Sequence, residues 1–229
     1  MCLDHELETG RHLLPPKTII LTIDDGPSVS HSADNPDTST IDIARFLSQN
    51  GVTATFFMVG ESVQNNLDLV KQVVDYGHVI GNHTYSHRPL VKLKDSELIR
   101  EIELGLEQIR LSGYMGKVPF RPPFGLWDDR CRELVRQAPS LSSAHAGVIG
   151  WDFGSKNPDW LAWERGTPVH IQFIRTIREI KDFGYRGTLL LHDARANTPY
   201  ADDRNKAFPL IKKIVEWASK KGIALTSTQ

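Results

Sequence analysis

The stretch Thr18-Ile19-Ile20-Leu21-Thr22-Ile23-Asp24-Asp25-Gly26-Pro27-Ser28 decides how this chain folds. Its first part is short, β-branched and almost unbroken in apolar character, the pattern of a strand buried on both faces of a parallel sheet. Two adjacent carboxylates close the run, and a glycine and a proline then bend the backbone. Side chains alternate along a strand, so Asp24 and Asp25 are expected to point in different directions and to hold different jobs, one on a cation and one on a proton. Asp, Gly and Pro are also common turn formers, and a plain turn is the competing reading of these residues alone.

The same punctuation recurs along the chain. Buried-strand patterns are expected at 53–58, 78–80, 118–121, 146–151, 187–191 and 223–226. Helical patterns fall between them, from Thr38 or Ser39 to Asn50, over 61–76, from Asp95 through Leu98, Ile102, Leu106 and Ile109, and over 128–137, 169–183 and 206–221. In the first helix Ile41, Ala44 and Leu47 are expected to face inward, in the second Val63, Leu67, Val70 and Val74, and in the last Leu210, Ile214 and Trp217. Gly105 is the one weak point of the helix after Asp95. Strand and helix alternate throughout, which argues for an α/β fold with a parallel sheet and helical crossovers, in a single domain at 229 residues.

Ligands gather at strand C-terminal ends in such folds. That is where the chemistry-bearing residues stand: Asp24 and Asp25 after the first strand, His83 and His87 after the third, Arg121 after the fourth, Asp159 and Trp160 after the fifth, His192 after the sixth. His83 and His87 are four apart, and on a helical turn that spacing brings both rings to one face, as metal ligands require. With Asp25 they would make a His, His, carboxylate set with open positions, suited to zinc or to non-haem iron. His192 at a strand end can serve as a general acid or rest as a backbone-bonded core histidine. Arg121, beside two prolines, suits holding a carboxylate or ending a strand. The tryptophans from Trp127 to Trp163 suit stacking on sugar rings or filling the core.

Lysine and arginine total 27 against 28 acidic residues, for a net charge of -1, and no basic cluster is long enough to follow a phosphate backbone. Nucleic acid is therefore not an expected partner, and no protein partner is legible. No run approaches the roughly 18 apolar residues of a transmembrane segment. Residues 1–14 are polar and lack a signal-peptide core. With a leader removed, the chain is expected in the secreted or cell-envelope space; without one, in the cytoplasm. Cys2 and Cys131 offer at most one long-range bridge and no disulfide framework.

Taken in order, TIDDGPS, HTYSH, RPPFG, the NPDW stretch and LLLHD resemble the five motifs of the polysaccharide deacetylases of carbohydrate esterase family 4, which carry the NodB-homology domain. The resemblance implies a distorted (β/α) barrel of seven or eight mainly parallel strands over residues 17–229, after a lead-in of residues 1–16. It implies removal of N-acetyl groups from N-acetylglucosamine-containing glycans of the chitin, chitooligosaccharide or peptidoglycan type. Acetylxylan or other O-acetyl esterase activity, sugar deformylation, and glycan binding without turnover are the alternatives. It implies one divalent metal ion, zinc above cobalt or others, on Asp25, His83 and His87. Asp24 would be the base, paired with Arg121, and His192 the acid, oriented by Asp159. Trp160 and Leu190 would line the acetyl pocket and the Phe124 backbone N–H would meet the oxyanion. Phe124 stands where the family usually has tyrosine, and the loop 29–37 looks longer than usual, a candidate rim for choosing substrate.

Overall fold

The computed structural model describes residues 10–29, 39–194, 196 and 206–228. Strand β1 (Thr18–Asp24) is buried along its whole length. The following strands are β2 (Thr55–Met58), β3 (Val79–Asn82), β4 (Val118–Phe120), β5 (His145–Val148), β6 (Gly187–His192) and β7 (Ala224–Thr226). The sheet runs β5-β4-β3-β2-β1-β6. β1 pairs with β6 over Ile19–Asp24 and divides its other edge between β7 at Thr18–Ile20 and β2 at Thr22–Asp24. Every pairing is parallel. The sheet curls into a distorted barrel, and between β5 and β6 the described residues close it only through the isolated bridge of Phe153 to Leu189.

Helices α1 (Thr40–Gln49), α2 (Gly60–Gln64), α3 (Leu67–Asp75), α4 (Asp95–Leu111), α5 (Asp129–Gln137), α6 (Pro139–Ser142), α7 (Asp159–Glu164), α8 (Val169–Asp182) and α9 (Ala207–Lys221) make the crossovers. The main core joins Ile19, Leu21, Ile23, Phe56, Ile80 and Leu189 of the sheet to Ile43, Leu47, Ile211 and Ile214 of the helices. A smaller core under α4 and α5 gathers Leu98, Ile102, Phe120, Trp127 and Cys131. Cys131 is a buried free thiol, and Cys2 lies outside the described residues. Arg11 of the lead-in docks on the barrel, bonding the carbonyls of Arg186 and Phe183 at 3.0 and 2.7 Å.

Three expectations change. The helix expected over 61–76 is two helices, because the Asn65 and Asn66 side chains donate to the Glu61 and Ser62 carbonyls and compete with the backbone for them. Val73 is then fully buried, and Val74 only partly so. The strand expected to 151 ends at Val148, since the Ile149 and Gly150 carbonyls are taken by the Arg121 guanidinium at 3.1 and 2.8 Å. Trp217 is half-buried, lying against Tyr185 at the core's edge.

Candidate active site

The strand ends open into a cavity of about 530 Å³. Asp24, Asp25, His83 and His87 line one side, and Trp151, Trp160, Leu190 and His192 are also in its wall, with Phe124. Arg121 and Asp159 are fully buried and reach Asp24 and His192 by hydrogen bonds. The sequence-nominated residues from five different strand ends therefore meet in one place.

Asp24 and Asp25 do not diverge as strand alternation suggests. Asp25 has left the strand with φ 74°, and both carboxylates come near the His83 ring, at 3.7 and 3.5 Å from Nε2. They differ in their partners. Asp24 Oδ1 accepts from Arg121 at 2.7 Å, and Arg121 also bonds Thr22 Oγ1 at 2.7 Å and lies over the Phe57 ring at 4.2 Å. Every direction of that guanidinium is used inside the protein, which makes Arg121 a fixed support for Asp24. Desolvation works to lower the Arg121 pKa, and the Asp24 charge opposes it.

Asp25 Oδ1 faces His83 Nε2 at 3.5 Å and His87 Nε2 at 3.3 Å. His83 Nδ1 donates to the Arg121 carbonyl at 2.7 Å, which fixes the ring so that Nε2 faces Asp25. Burial alone would raise the Asp25 carboxyl, but the two imidazoles and the nearby His192 charge hold it well below the usual carboxylate range. The ligand atoms all lie within 4.8 Å of one another. Ligands of a tetrahedral zinc with bonds of about 2.0–2.2 Å stand about 3.3–3.6 Å apart, so the separations of 3.5 and 3.3 Å fit such an ion. The backbone carbonyl behind His83 is the kind of support that metal-bound imidazoles use.

The segment 83–87 is not a helical turn. Thr84 and His87 have φ 67° and 54°, and this left-handed path, which non-glycine residues rarely take, folds the two rings together. Asp25 and Phe124 take it too, so among the described residues four of the six non-glycine residues with positive φ sit at this site. Thr84 Oγ1 accepts the His87 N–H at 3.1 Å, and Asn82 Oδ1 accepts the Thr84 N–H at 2.9 Å.

Across the cavity, His192 Nδ1 meets Asp159 Oδ1 at 2.7 Å, while Asp159 Oδ2 accepts the His192 N–H at 2.8 Å. Burial works to lower the imidazole, but the Asp159 charge and hydrogen bond, with Asp25 and Asp24 behind them, raise it to about 9. Phe124 is 60% exposed and packs at a tilt against His87, ring centres 4.7 Å apart. Trp127 and Trp163 are core residues, whereas Trp151 and Trp160 reach the cavity. Apart from Val29, the loop 29–37 lies outside the described residues.

Residues not nominated from sequence complete the surroundings. Asp193 is buried beside Gly26, where a Cβ would lie 2.7 Å from its Oδ1, and it accepts from the Thr40 hydroxyl; burial raises its carboxyl to about 7. Glu101 and Glu179 are buried on α4 and α8. The signal for both was a glutamate on the inward face of an amphipathic helix.

The parallel α/β barrel thus brings a carboxylate and two imidazoles that could hold a metal ion to face a carboxylate-backed histidine. The chain belongs to the polysaccharide deacetylase family, whose pattern matches residues 12–140. It is 30% identical over 208 residues to a peptidoglycan-N-acetylglucosamine deacetylase of Bacillus cereus, covering 90% of this chain and 84% of that one. Another Bacillus cereus protein so named is 41% identical over 109 residues, 47% of this chain and 36% of its own length. Chitin deacetylase 1 of Saccharomyces cerevisiae is 33% identical over 116 residues, 51% of this chain and 35% of its own. The matched segments thus span about a third of these last two relatives. Among solved structures, a family 4 carbohydrate esterase from Streptomyces lividans in complex with acetate superposes with TM-score 0.66 at 25% identity, covering 93% and 92% of the two chains. A CE4 family pseudoenzyme from Bacillus anthracis shares the fold at TM-score 0.68 and 20% identity, covering 93% and 64%. Fold alone therefore does not separate turnover from its loss.

Proposed function

We propose that this chain is a metal-dependent hydrolase that removes N-acetyl groups from N-acetylglucosamine-containing glycans. One observation carries the reading: Asp25, His83 and His87, with ligand atoms within 4.8 Å of one another, and His192, backed by Asp159, line the same cavity. Asp25, His83 and His87 would hold the ion, with zinc the best match to the donor set. Bound there, zinc supplies Lewis-acid polarisation of the acetyl carbonyl and acidifies water.

The chain's own residues do the rest. Asp24, held by Arg121, takes the proton of the attacking water as the new C–O bond forms. The Phe124 N–H is assigned to the developing oxyanion. His192 gives its proton to the amine as the C–N bond breaks, leaving acetate and a glucosamine residue. Trp160 and Leu190 bound the acetyl group, and Trp151 and Phe124 offer faces to the sugar.

The test is an acetate-release screen of the zinc-loaded protein on N-acetylchitooligosaccharides, peptidoglycan fragments and acetylxylan. Release from the first two classes supports the reading. Release from acetylxylan alone makes the chain an O-acetyl esterase, and binding of glycans with no release from any substrate contradicts an enzyme.

A further inference from the structure

The loop that carries His83 and His87 is held between two helices. On one side, the Gly60 and Glu61 N–H groups of α2 donate to the Thr84 and Tyr85 carbonyls, each at 2.9 Å. On the other stands α4. A Cβ on Gly105 would lie 2.4 Å from Asn82 Oδ1 and 2.9 Å from the Thr84 carbonyl carbon, so the glycine that weakens this helix is what lets it approach the loop.

One turn away on α4, Glu101 is buried, and its carboxylate and carbonyl grip the loop. Its carbonyl accepts the Tyr85 N–H at 2.9 Å, Oε2 accepts the Ser86 N–H at 2.9 Å, and Oε1 accepts the Ser86 hydroxyl at 2.7 Å. Among the described residues it makes no ion pair. A carboxylate buried without a cation is a costly way to pack a helix, because an aliphatic side chain would fill the same position with no charge to desolvate. What the carboxylate does that an aliphatic cannot is grip both polar groups of Ser86, the residue before His87. His87 sits at φ 54°, a conformation that persists only where its surroundings enforce it.

We infer that Glu101 is a positioning residue for the metal centre: by clamping Ser86 it holds His87 in the left-handed conformation that turns its ring toward Asp25. The inference rests on reading Asp25, His83 and His87 as that centre. Glu179 is the natural comparison. It is equally buried and also grips a loop, accepting the Gly154 N–H at 2.9 Å and the Asn157 amide, but its loop leads to Asp159.

The test is zinc titration calorimetry on the metal-stripped full chain, with circular dichroism and melting curves to show that each variant is folded. Glu101→Ala is expected to weaken zinc binding roughly 10–100-fold, the usual effect of losing a group that orients a ligand. Glu101→Gln restores most of the affinity, since its amide oxygen can accept the Ser86 N–H. Glu179→Ala binds zinc as the unaltered chain does. A folded Glu101→Ala that binds zinc with unchanged affinity overturns the inference, as does an equal loss in Glu179→Ala. Should Glu101→Ala not fold, Glu101→Leu, which fills the same space with no acceptor for the Ser86 N–H or hydroxyl, carries the test: weaker zinc binding supports the clamp and unchanged binding overturns it. Asp25→Ala separates the two levels, because undiminished zinc binding there would refute the metal centre itself.

Discussion

His83 and His192 face one cavity from opposite walls, and the atom behind each ring sets what it can do. Behind His83 Nδ1 is a neutral backbone carbonyl, that of Arg121, which orients the ring with Nε2 toward Asp25. Behind His192 Nδ1 is a carboxylate, Asp159, which draws the ring's protonated form up to about 9. On the proposed reading, the same side chain serves as a ligand on one wall and a proton donor on the other. The backbones differ as well. The metal wall is built on left-handed residues, Asp25, Thr84 and His87, whereas His192 ends a regular strand paired with β1. A ligand set must converge from several directions, and a strand alone cannot turn that sharply; an acid needs only to be aimed once.

Breaking the metal wall should cost most. His83→Ala or His87→Ala is expected to lose bound metal, as measured by elemental analysis, and to lower deacetylation by roughly 10⁴-fold or more, since several kcal/mol of transition-state stabilisation go with the ion. On the acid wall, His192→Ala should keep its metal and lose about 10²–10⁴-fold in kcat, the usual range for a general acid. Loss of metal in that variant would erase the distinction between the walls.

Asp159→Asn sharpens the comparison through pH. His192 is raised above its ordinary 6.5, so the acid is present below about 9 and is lost as pH rises through that value. With the Asp159 charge gone, the alkaline limb of the kcat/KM profile should move to lower pH. The stability that the pair adds should follow the same sign, full below about 6.5 and fading toward about 9. A limb that does not move would show that Asp159 does not set the acid. The smallest effect is expected at the rim, where Trp160→Ala should raise KM by roughly 2–13-fold, matching about 0.5–1.5 kcal/mol for an aromatic contact, with metal content unchanged.

The sequence reading succeeded where one periodicity governs. β1 and β6 are continuous apolar runs buried along their whole length, and the alternation of such runs with amphipathic segments defined the parallel sheet. Because ligands collect at strand ends, the residues in those places converged as expected. The reading failed where side chains compete with the backbone or override it. Asn65 and Asn66 break a helix by capturing carbonyls, Arg121 ends a strand in the same way, and the His83–His87 spacing was taken for a helical turn that Thr84 and His87 replace with left-handed backbone. Glu101 and Glu179 went unnoticed because periodicity marks a glutamate in a helix as a solvent-facing residue until packing shows otherwise.

The adjacent pair Asp24-Asp25 provides the most direct test, since the account gives two neighbouring carboxylates separate jobs. Zinc titrations of Asp24→Asn and Asp25→Asn, each paired with acetate release from an N-acetylchitooligosaccharide, decide it. The account predicts that Asp24→Asn binds zinc as the unaltered chain does and releases almost no acetate, while Asp25→Asn fails to bind. Loss of zinc in Asp24→Asn, or undiminished zinc binding in Asp25→Asn, would contradict it.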